Sequence, residues 1–362
     1  TMTGKDLSPK EQTPMRFFDA HCDAVMNSYD RTFGFVTGDP RGQLDLPRLS
    51  AAGGRAQVFA VFAAASYFSG RDIRALAEGA ISTLHGWADA SAGRMFIVRT
   101  GADIARSFGD DSAGVAAIIG LEGADPLPNA DALNDFFALG VRLVIPAWDD
   151  NHFSGSATGK GGPLSAEGRR LIELASSLRV MVDVSHLSDA AFLEVAGLMG
   201  NRPFIASHSN CRALSPASRN LTDAQIRILA GRGGVMGINL APDFLDPAYL
   251  AAWDAIMAPV KGADAATRQK HRMAAGPQLS AIPLPPLDWV VRHLKHAFNA
   301  GGEDCIGLGG DLDGISFGPA GLTGVESYPH IVDELGRGGL SAAQVEKVCW
   351  RNMARVFEEV LP

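Results

Sequence analysis

Short runs of apolar residues recur along the chain, and stretches with helical spacing of apolar positions separate them. Several runs are continuously apolar rather than alternating, which is typical of strands that a parallel sheet buries on both faces. Residues 180–185 and 234–240 are the clearest of these runs. The predicted strands lie near residues 16–20, 56–64, 115–121, 142–147, 180–185, 203–207, 234–240 and 305–310.

The segments between these strands predict helices. Residues 71–90 carry apolar side chains at spacings of three and four, which is the pattern of an amphipathic helix. Ser165 and Thr222 stand where helix N-caps are expected, and Gln225 completes a capping box with Thr222. Residues 341–360 predict a last amphipathic helix that begins with a serine.

Eight strands that alternate with helices predict a (β/α)₈ TIM-type barrel. A doubly wound open sheet is the alternative, but it would gather functional residues at one switch point, whereas here they follow many different strands. We expect a flexible N-terminal arm over residues 1–15 and a single domain over 16–362. Residues 242–285 have the least regular pattern and predict an irregular insertion that forms a lid or a subunit contact.

Six polar residues directly follow apolar runs, at the points where predicted strands end. Polar groups in such places cost free energy unless they bind something. The six are His21, Asp23, Glu122, His186, His208 and Asp311. Three imidazoles and three carboxylates suit a pair of divalent ions such as zinc, manganese or cobalt. Metal-assisted hydrolysis is therefore the reaction class that this set predicts.

Four of these positions indicate individual roles. His21 and Asp23 are two residues apart on an extended strand, so both side chains point to the same face and can reach one ion. Glu122 carries two oxygens and can bridge two cations. Asp311 follows the glycine pair 309–310, which lets the backbone run close to its neighbours, and it is the candidate general base.

Composition excludes several other classes of protein. The chain has 362 residues, 46% of them apolar, and a net charge of −8 without a basic tract, so duplex nucleic acid is not expected as a partner. The four cysteines form no CxxC pair, which excludes a zinc knuckle or a thioredoxin motif. Four cysteines in a chain of this length are no disulfide framework, which favours a reducing cytoplasm. No stretch approaches the ~20 apolar residues of a membrane span, and the first fifteen residues lack an apolar signal core. We therefore expect a cytoplasmic protein without a membrane partner.

Five segments of the chain resemble the membrane (renal) dipeptidase family of zinc peptidases, within the amidohydrolase superfamily. The resemblance extends from about residue 16 to 360, and its two longest segments are highly specific. The segments are DAHCD at 19–23, GLEGAD at 120–125, VDVSHLS at 182–188, SHSNCRALSPASRNLTD at 207–223 and GLGGDLDGI at 307–315.

The resemblance implies a (β/α)₈ enzyme with two zinc ions. It implies that His21 and Asp23 hold one ion and that Glu122 bridges both ions. His186 and His208 would hold the second ion. The implied reaction is hydrolysis of a dipeptide by a hydroxide that bridges the two metals, and the implied assembly is a homodimer.

The same resemblance implies how a dipeptide would bind. Asp311 would contact the attacking water and the amino group of the substrate. Arg219 would hold the C-terminal carboxylate, a task that suits its planar, two-pronged guanidinium. A D-residue would be accepted at the C-terminal position, as in L-Ala-D-Ala.

Two departures from the family concern the substrate. Trp148 stands where many relatives have a histidine that polarises the scissile carbonyl, and tryptophan donates one N–H but cannot become cationic. His152, four residues later, is a candidate replacement for that histidine, and Ala241 stands where some relatives have a tyrosine. Two alternatives therefore remain. One is an N-acyl amino acid hydrolase or lactonase on the same metal site, and the other is a non-catalytic, metal-stabilised binding protein.

Overall fold

The computed structural model describes residues 14–362, so most of the arm predicted over residues 1–15 lies outside the described residues. In this range nine strands form one sheet, and all of their pairings are parallel. The strands are β1 (Phe17–Cys22), β2 (Gly54–Phe62), β3 (Met95–Ile97), β4 (Val115–Glu122), β5 (Val141–Ile145), β6 (Met181–Val182), β7 (Ile205–Ala206), β8 (Val235–Ile238) and β9 (Ile306–Leu308).

Eight of these strands form the predicted barrel. They follow one another around it as β1, β2, β4, β5, β6, β7, β8 and β9, and β9 pairs again with β1. A single bridge between Asp183 and Ile205 joins β6 to β7. Strand β3 pairs with β4 outside this circuit. The sequence pattern missed β3 because a run of three residues is too short to show a period.

Strands β6 and β7 have only two residues each, fewer than the predicted runs 180–185 and 203–207. The side chain of Asp183 accounts for this difference. Its Oδ1 accepts hydrogen bonds from the backbone N–H groups of Ser185 and Ser207, both at 3.0 Å. A buried carboxylate therefore replaces backbone acceptors where these two strands end.

Helices surround the barrel and connect its strands. No helix within residues 14–362 combines the length and the apolar character that crossing a bilayer requires. The α-helices are α1 (Leu46–Ala51), α2 (Ile73–Ala90), α3 (Gly101–Gly109), α4 (Leu133–Leu139), α5 (Ala166–Ser177), α6 (Asp189–Met199), α7 (Asp223–Ala230), α8 (Pro242–Leu245), α9 (Pro247–Met257), α10 (Ala265–Ala274), α11 (Gly276–Ser280), α12 (Asp288–Gly301), α13 (Tyr328–Arg337), α14 (Ala342–Glu346) and α15 (Asn352–Val360). Short 3₁₀ helices cover Ala24–Ser28, Ala130–Ala132, Ala258–Val260 and Val325–Ser327.

The predicted helix starts are confirmed at the caps. Ser165 accepts a hydrogen bond from the N–H of Gly168 and so caps α5. Thr222 and Gln225 form the reciprocal capping box of α7. The predicted last helix also begins at a serine, but a π-helical turn over Lys347–Arg351 divides it into α14 and α15. Local hydrogen-bonding groups therefore define where these helices begin.

Residues 242–285 are largely helical, so the prediction of an irregular insertion was wrong. They contain α8 to α11, of which α8 and α11 have only four and five residues, too few to show a helical period. Pro242 and Pro247 occupy the first turns of α8 and α9, where a missing N–H is tolerated. Four buried residues give the segment a small core of its own. They are Tyr249, Ala275, Leu279 and Ile282.

The backbone runs tightly at two glycines after β9, as expected for residues 309–310. A Cβ added to Gly309 would lie 1.8 Å from the carbonyl oxygen of Ser207. A Cβ added to Gly310 would lie 1.9 Å from the hydroxyl of Tyr328. The absence of a side chain at Gly309 lets the end of β9 lie against the end of β7, and at Gly310 it lets the backbone lie against Tyr328. This close packing sets the position of the following residue, Asp311.

We predict that Gly309→Ala lowers the free energy of unfolding by about 2–3 kcal/mol, because the backbone carbonyl that it meets cannot move aside. Gly86→Ala is the matched control: this glycine is exposed within α2, and an added Cβ there meets no atom within 4 Å. The control should leave stability unchanged or raise it by up to about 1 kcal/mol. Urea unfolding of both variants checks this, and equal stabilities would contradict the packing argument.

Candidate active site

The six residues predicted to bind metal and to act as a base meet at the carboxyl ends of the barrel strands. Nε2 of His21 lies 3.5 Å from Oδ2 of Asp23 and 3.5 Å from Oε2 of Glu122. The same nitrogen lies 3.9 Å from Oδ1 of Asp311. One imidazole on β1 therefore faces three carboxylates, which come from the ends of β1, β4 and β9.

The second oxygen of Glu122 faces the other two histidines. Its Oε1 lies 2.8 Å from Nε2 of His186 and 3.8 Å from Nε2 of His208. These two imidazole nitrogens lie 2.9 Å apart. Glu122 thus stands between His21 on one side and the histidine pair on the other, with one oxygen toward each.

Buried neighbours orient two of these side chains. The hydroxyl of Ser207 lies 2.7 Å from Nδ1 of His208, which leaves Nε2 of that ring to face the cluster. Asn239 donates a hydrogen bond of 2.9 Å from Nδ2 to Oδ2 of Asp311, which leaves Oδ1 to face His21. The atoms that point into the cluster are therefore selected by partners outside it.

Asp19 connects the two strands that carry His21 and Asp311. Its Oδ1 accepts from the N–H of His21 at 2.9 Å and from the N–H of Gly310 at 3.0 Å. Its Oδ2 accepts from the hydroxyl of Tyr328. Because Asp19 is fully buried, these bonds fix the separation of the ends of β1 and β9.

Burial and charge set the protonation of the groups around Glu122. Burial lowers the pKa of His186 to about 3 and that of His208 well below the usual value, so both rings are neutral, as metal ligands must be. Burial alone would raise the pKa of Glu122, but the positive charge of His21 and the hydrogen bond from His186 outweigh it and lower that pKa. Glu122 is therefore an anion that lies between the charged ring of His21 and the neutral rings of His186 and His208.

The remaining groups fit divalent cations. Burial, together with the charge of Glu122, raises the pKa of Asp23 well above the usual value, and burial also raises the pKa of Asp311. Bound cations would relieve this repulsion between buried carboxylates. Nε2 of His21 is buried and has no hydrogen-bond partner within residues 14–362. Ligand atoms of two groups, His21–Glu122–His208 and His21–Asp23–Asp311, lie within 4.8 Å of one another.

A cleft with two adjoining lobes opens above the cluster. The metal lobe, of about 400 Å³, is lined by Asp23, Glu122, His186, His208 and Asp311 together with apolar residues. The arginine lobe, of about 620 Å³, is lined by Arg219 and by residues of α8 to α10. The shared walls include Tyr67, Trp148, Trp253 and Arg272. The helices of residues 242–285 therefore cover the mouth of the barrel as a lid.

Arg219 lies in the arginine lobe with its charge unpaired. Its side chain is 4% exposed, and it forms no ion pair with any residue that the structure describes. Its Nη1 has no hydrogen-bond partner in the same range. Burial lowers its pKa to about 10, so it stays protonated near neutral pH. A buried guanidinium without a partner is suited to bind an anion.

The two residues proposed in place of the family histidine lie in different surroundings. Trp148 lines both lobes, and its ring centroid lies 6.0 Å from that of His186 and 4.8 Å from that of Phe62. His152 is exposed, packs on Phe153 and lines neither lobe. The structure therefore brings Trp148 to the site and leaves His152 outside it. Ala241 lines the arginine lobe.

Several site residues were not found from the sequence. Asn239 follows β8 directly, as the other site residues follow their strands, so its position did carry a signal. Trp253 and Arg272 come from the lid helices, where no motif marks them. Tyr67 lies in a loop beyond β2, and only the path of that loop brings it to the cleft.

Known proteins are similar to this chain in sequence and in fold. The family model described as membrane dipeptidase (peptidase family M19) matches residues 10–361. An uncharacterized protein of Klebsiella pneumoniae, from the pqqA 5′ region, is 34% identical over 279 residues, which are 75% of this chain and 90% of that protein.

Solved structures agree with this match. The metallopeptidase dipeptidase AC of family M19 is 27% identical, with a TM-score of 0.80 over 97% of this chain and 99% of that one. A metallopeptidase from Rhodobacter sphaeroides, liganded with a phosphinate mimic of the dipeptide L-Ala-D-Ala, is 26% identical with a TM-score of 0.80 over 96% and 99% of the two chains. With its barrel, its cluster of imidazoles and carboxylates and this match over nearly its full length, the chain belongs to the membrane dipeptidase family, peptidase family M19, and is a metal-dependent peptide hydrolase.

Proposed function

We propose that this enzyme hydrolyses dipeptides with two zinc ions bridged by Glu122, and that it accepts a D-residue at the C-terminal position. The observation that carries the proposal is the unpaired, buried guanidinium of Arg219 in the same cleft as the metal cluster. One end of the cleft offers a site for an anion, and the other offers ligands for cations. A short peptide with a free carboxylate fits this arrangement.

The donor set divides into two sites around Glu122. His21 and Asp23 would hold one ion, and His186 and His208 would hold the other. When bound, such ions lower the pKa of water and polarise the scissile carbonyl. No histidine besides the three ligands lines the cleft within residues 14–362, so carbonyl polarisation would fall to the ions rather than to a protein group.

Asp311 is proposed as the base. It lies at the junction of the two lobes, with Oδ2 held by Asn239 and Oδ1 directed to the cluster. Its raised pKa, caused first by burial, favours acceptance of a proton from the attacking water. The carboxyl can then give that proton to the leaving amine, and in the ionised form it can bind the amino group of a dipeptide.

Arg219 would fix the carboxylate end and set the length of the substrate. Its guanidinium offers two parallel N–H donors, and a carboxylate accepts both. A longer peptide has no carboxylate at that place. The relative from Rhodobacter sphaeroides is liganded with a mimic of L-Ala-D-Ala, which supports a D-residue beside the arginine in this enzyme as well.

A reducing compartment suits the cysteines, and we propose a cytoplasmic location. Cys22, Cys211, Cys305 and Cys349 are all free and buried. Burial raises the pKa of Cys305 to about 11 and that of Cys349 to about 12, so these groups are thiols rather than reactive thiolates. They act as small apolar packing groups.

The experiment that tests the proposed function is an assay of zinc-loaded protein with L-Ala-D-Ala and L-Ala-L-Ala, each also as its N-acetyl derivative and its C-terminal amide. We expect hydrolysis of the free dipeptides and loss of activity when either end is blocked. Hydrolysis of N-acetyl amino acids without hydrolysis of any free dipeptide would overturn the proposal and favour an N-acyl amino acid hydrolase.

Asp311→Asn should lower kcat by about 10²–10⁴-fold, the usual contribution of a general base, because the amide cannot accept a proton. Asp313→Asn is the matched control, since Asp313 shares the left-handed backbone of the same loop and accepts from the N–H of Gln43, a role that asparagine can keep. Steady-state kinetics of both variants, at equal zinc content, check this. Equal losses in the two variants would contradict the assignment.

Glu122→Gln should lower the metal content from two ions per chain to one or none, because an amide has one acceptor oxygen and no charge with which to bridge two cations. Glu167→Gln, on the first turn of α5, is the control and should keep two. Elemental analysis after dialysis against zinc measures this without reference to activity. Two ions retained by the Glu122 variant would contradict the bridging role.

Arg219→Lys should lower kcat/KM for dipeptides by about 10–100-fold, mainly through KM, because lysine keeps the charge but loses the paired donors. Arg212→Lys is the control from the same loop, where the guanidinium pairs with Asp189 at the edge of the barrel. Kinetics over a range of L-Ala-D-Ala concentrations measure both. A normal KM in the Arg219 variant would place the carboxylate elsewhere.

A further inference from the structure

We infer that the metal lobe is a subsite for a bulky apolar side chain on the N-terminal residue of the substrate, with Met273 of the lid as a specificity-determining residue. This inference rests on the proposed function, since the direction in which the substrate lies in the cleft follows from its contact with Arg219. The C-terminal carboxylate at Arg219 places the C-terminal residue in the arginine lobe. The N-terminal residue then lies in the metal lobe.

Apolar side chains form much of the wall of the metal lobe above the cluster, beside the polar groups of Gln269 and Ser316. Met26 and Phe62 come from the barrel side, and Met273 comes from α10 of the lid; none of them lines the arginine lobe. Trp148 and Trp253 form the walls that the two lobes share. An N-terminal side chain that leaves the metal cluster therefore meets thioether and aromatic groups.

Met273 gives the strongest indication that a ligand completes this surface. Its side chain is 74% exposed, more than any other large apolar side chain within residues 14–362. The next is Leu193, at 55%, which lines neither lobe. An exposed apolar group at the rim of a cleft gains contact and loses hydration when an apolar side chain binds there. Methionine also adapts to side chains of different shape.

Charged side chains in the metal lobe are already engaged. Asp23, Glu122 and Asp311 belong to the metal cluster, and Asp313 accepts from the N–H of Gln43. Arg272 is the one basic side chain that lines this lobe within residues 14–362. It donates to the hydroxyl of Ser316 at 2.8 Å and lies over the ring of Trp253. An acidic N-terminal side chain is the rival that Arg272 would bind.

The test compares L-Leu-Gly, L-Ala-Gly and L-Asp-Gly, because a C-terminal glycine removes any effect of configuration at that position. We expect kcat/KM for L-Leu-Gly to exceed that for L-Ala-Gly by about tenfold or more, as for added methylenes in a hydrophobic pocket. Equal values for the two substrates, or a preference for L-Asp-Gly, would overturn the inference.

Met273→Ser isolates the contribution of the lid. The ratio of kcat/KM for L-Leu-Gly to that for L-Ala-Gly should fall by about threefold or more. Leu193→Ser, at an exposed apolar site on α6 that lines neither lobe, should leave this ratio unchanged. A Met273 variant with the wild-type ratio would remove this residue from the subsite.

A binding measurement separates failure of this inference from failure of the proposed function. If zinc-loaded protein hydrolyses none of the dipeptides, the proposed function is wrong. Calorimetry with L-Leu-Gly and L-Ala-Gly on the metal-free protein then decides the subsite, because the apolar walls do not act through the metal. Tighter binding of L-Leu-Gly, weakened by Met273→Ser, supports the subsite, and equal binding overturns it.

Discussion

Three carboxylates converge on one imidazole nitrogen at the mouth of this barrel, and the rest of the site depends on how that buried charge is compensated. Nε2 of His21 lies within 3.9 Å of oxygens from Asp23, Glu122 and Asp311. Burial, together with the charge of Glu122, raises the pKa of Asp23 and of Asp311. Bound divalent ions would reduce the repulsion between these carboxylates.

Side-chain carboxylates hold these groups in place, because they accept hydrogen bonds from backbone N–H groups where the hydrogen bonds between strands end. Asp183 and Asp19 each accept backbone N–H groups from two strands at the point where the ladder stops. The hydrogen bonds to Asp183 shorten β6 and β7. They also hold the backbone of Ser185 and Ser207, the residues that directly precede His186 and His208. Gly309 lets β9 approach β7 closely enough for the same network to reach Asp311. Rigid positioning of ligands is what a metal site requires of its scaffold.

The two lobes of the cleft beneath the lid differ in the charge and polarity of the side chains that line them. The arginine lobe holds a buried cation that has no ion-pair partner within residues 14–362, whereas the metal lobe combines the metal cluster with apolar side chains. Under the proposed function, a substrate with a carboxylate at one end would bind in one direction only. The lid is anchored to the barrel by a contact of 3.1 Å between Arg268 and Asp149, and by the bond from Arg272 to Ser316. The lid helices thus line the cleft opposite the metal cluster, whose residues come from the barrel.

The barrel and most of the cluster of imidazoles and carboxylates could be predicted from the sequence, because both depend on short-range patterns. Apolar runs predict strands, and parallel strands bring their ends together, so a polar residue such as Glu122 at the end of a run is placed without knowledge of any distant contact. Which loop residues reach the cleft is seen only in the tertiary structure. Trp148 reaches it and His152 does not, although both follow β5. Met273 lies on α10, and only the docking of that helix brings this side chain to the cleft. The path of a loop and the docking of a short helix depend on contacts between residues far apart in sequence, and no local pattern encodes those contacts.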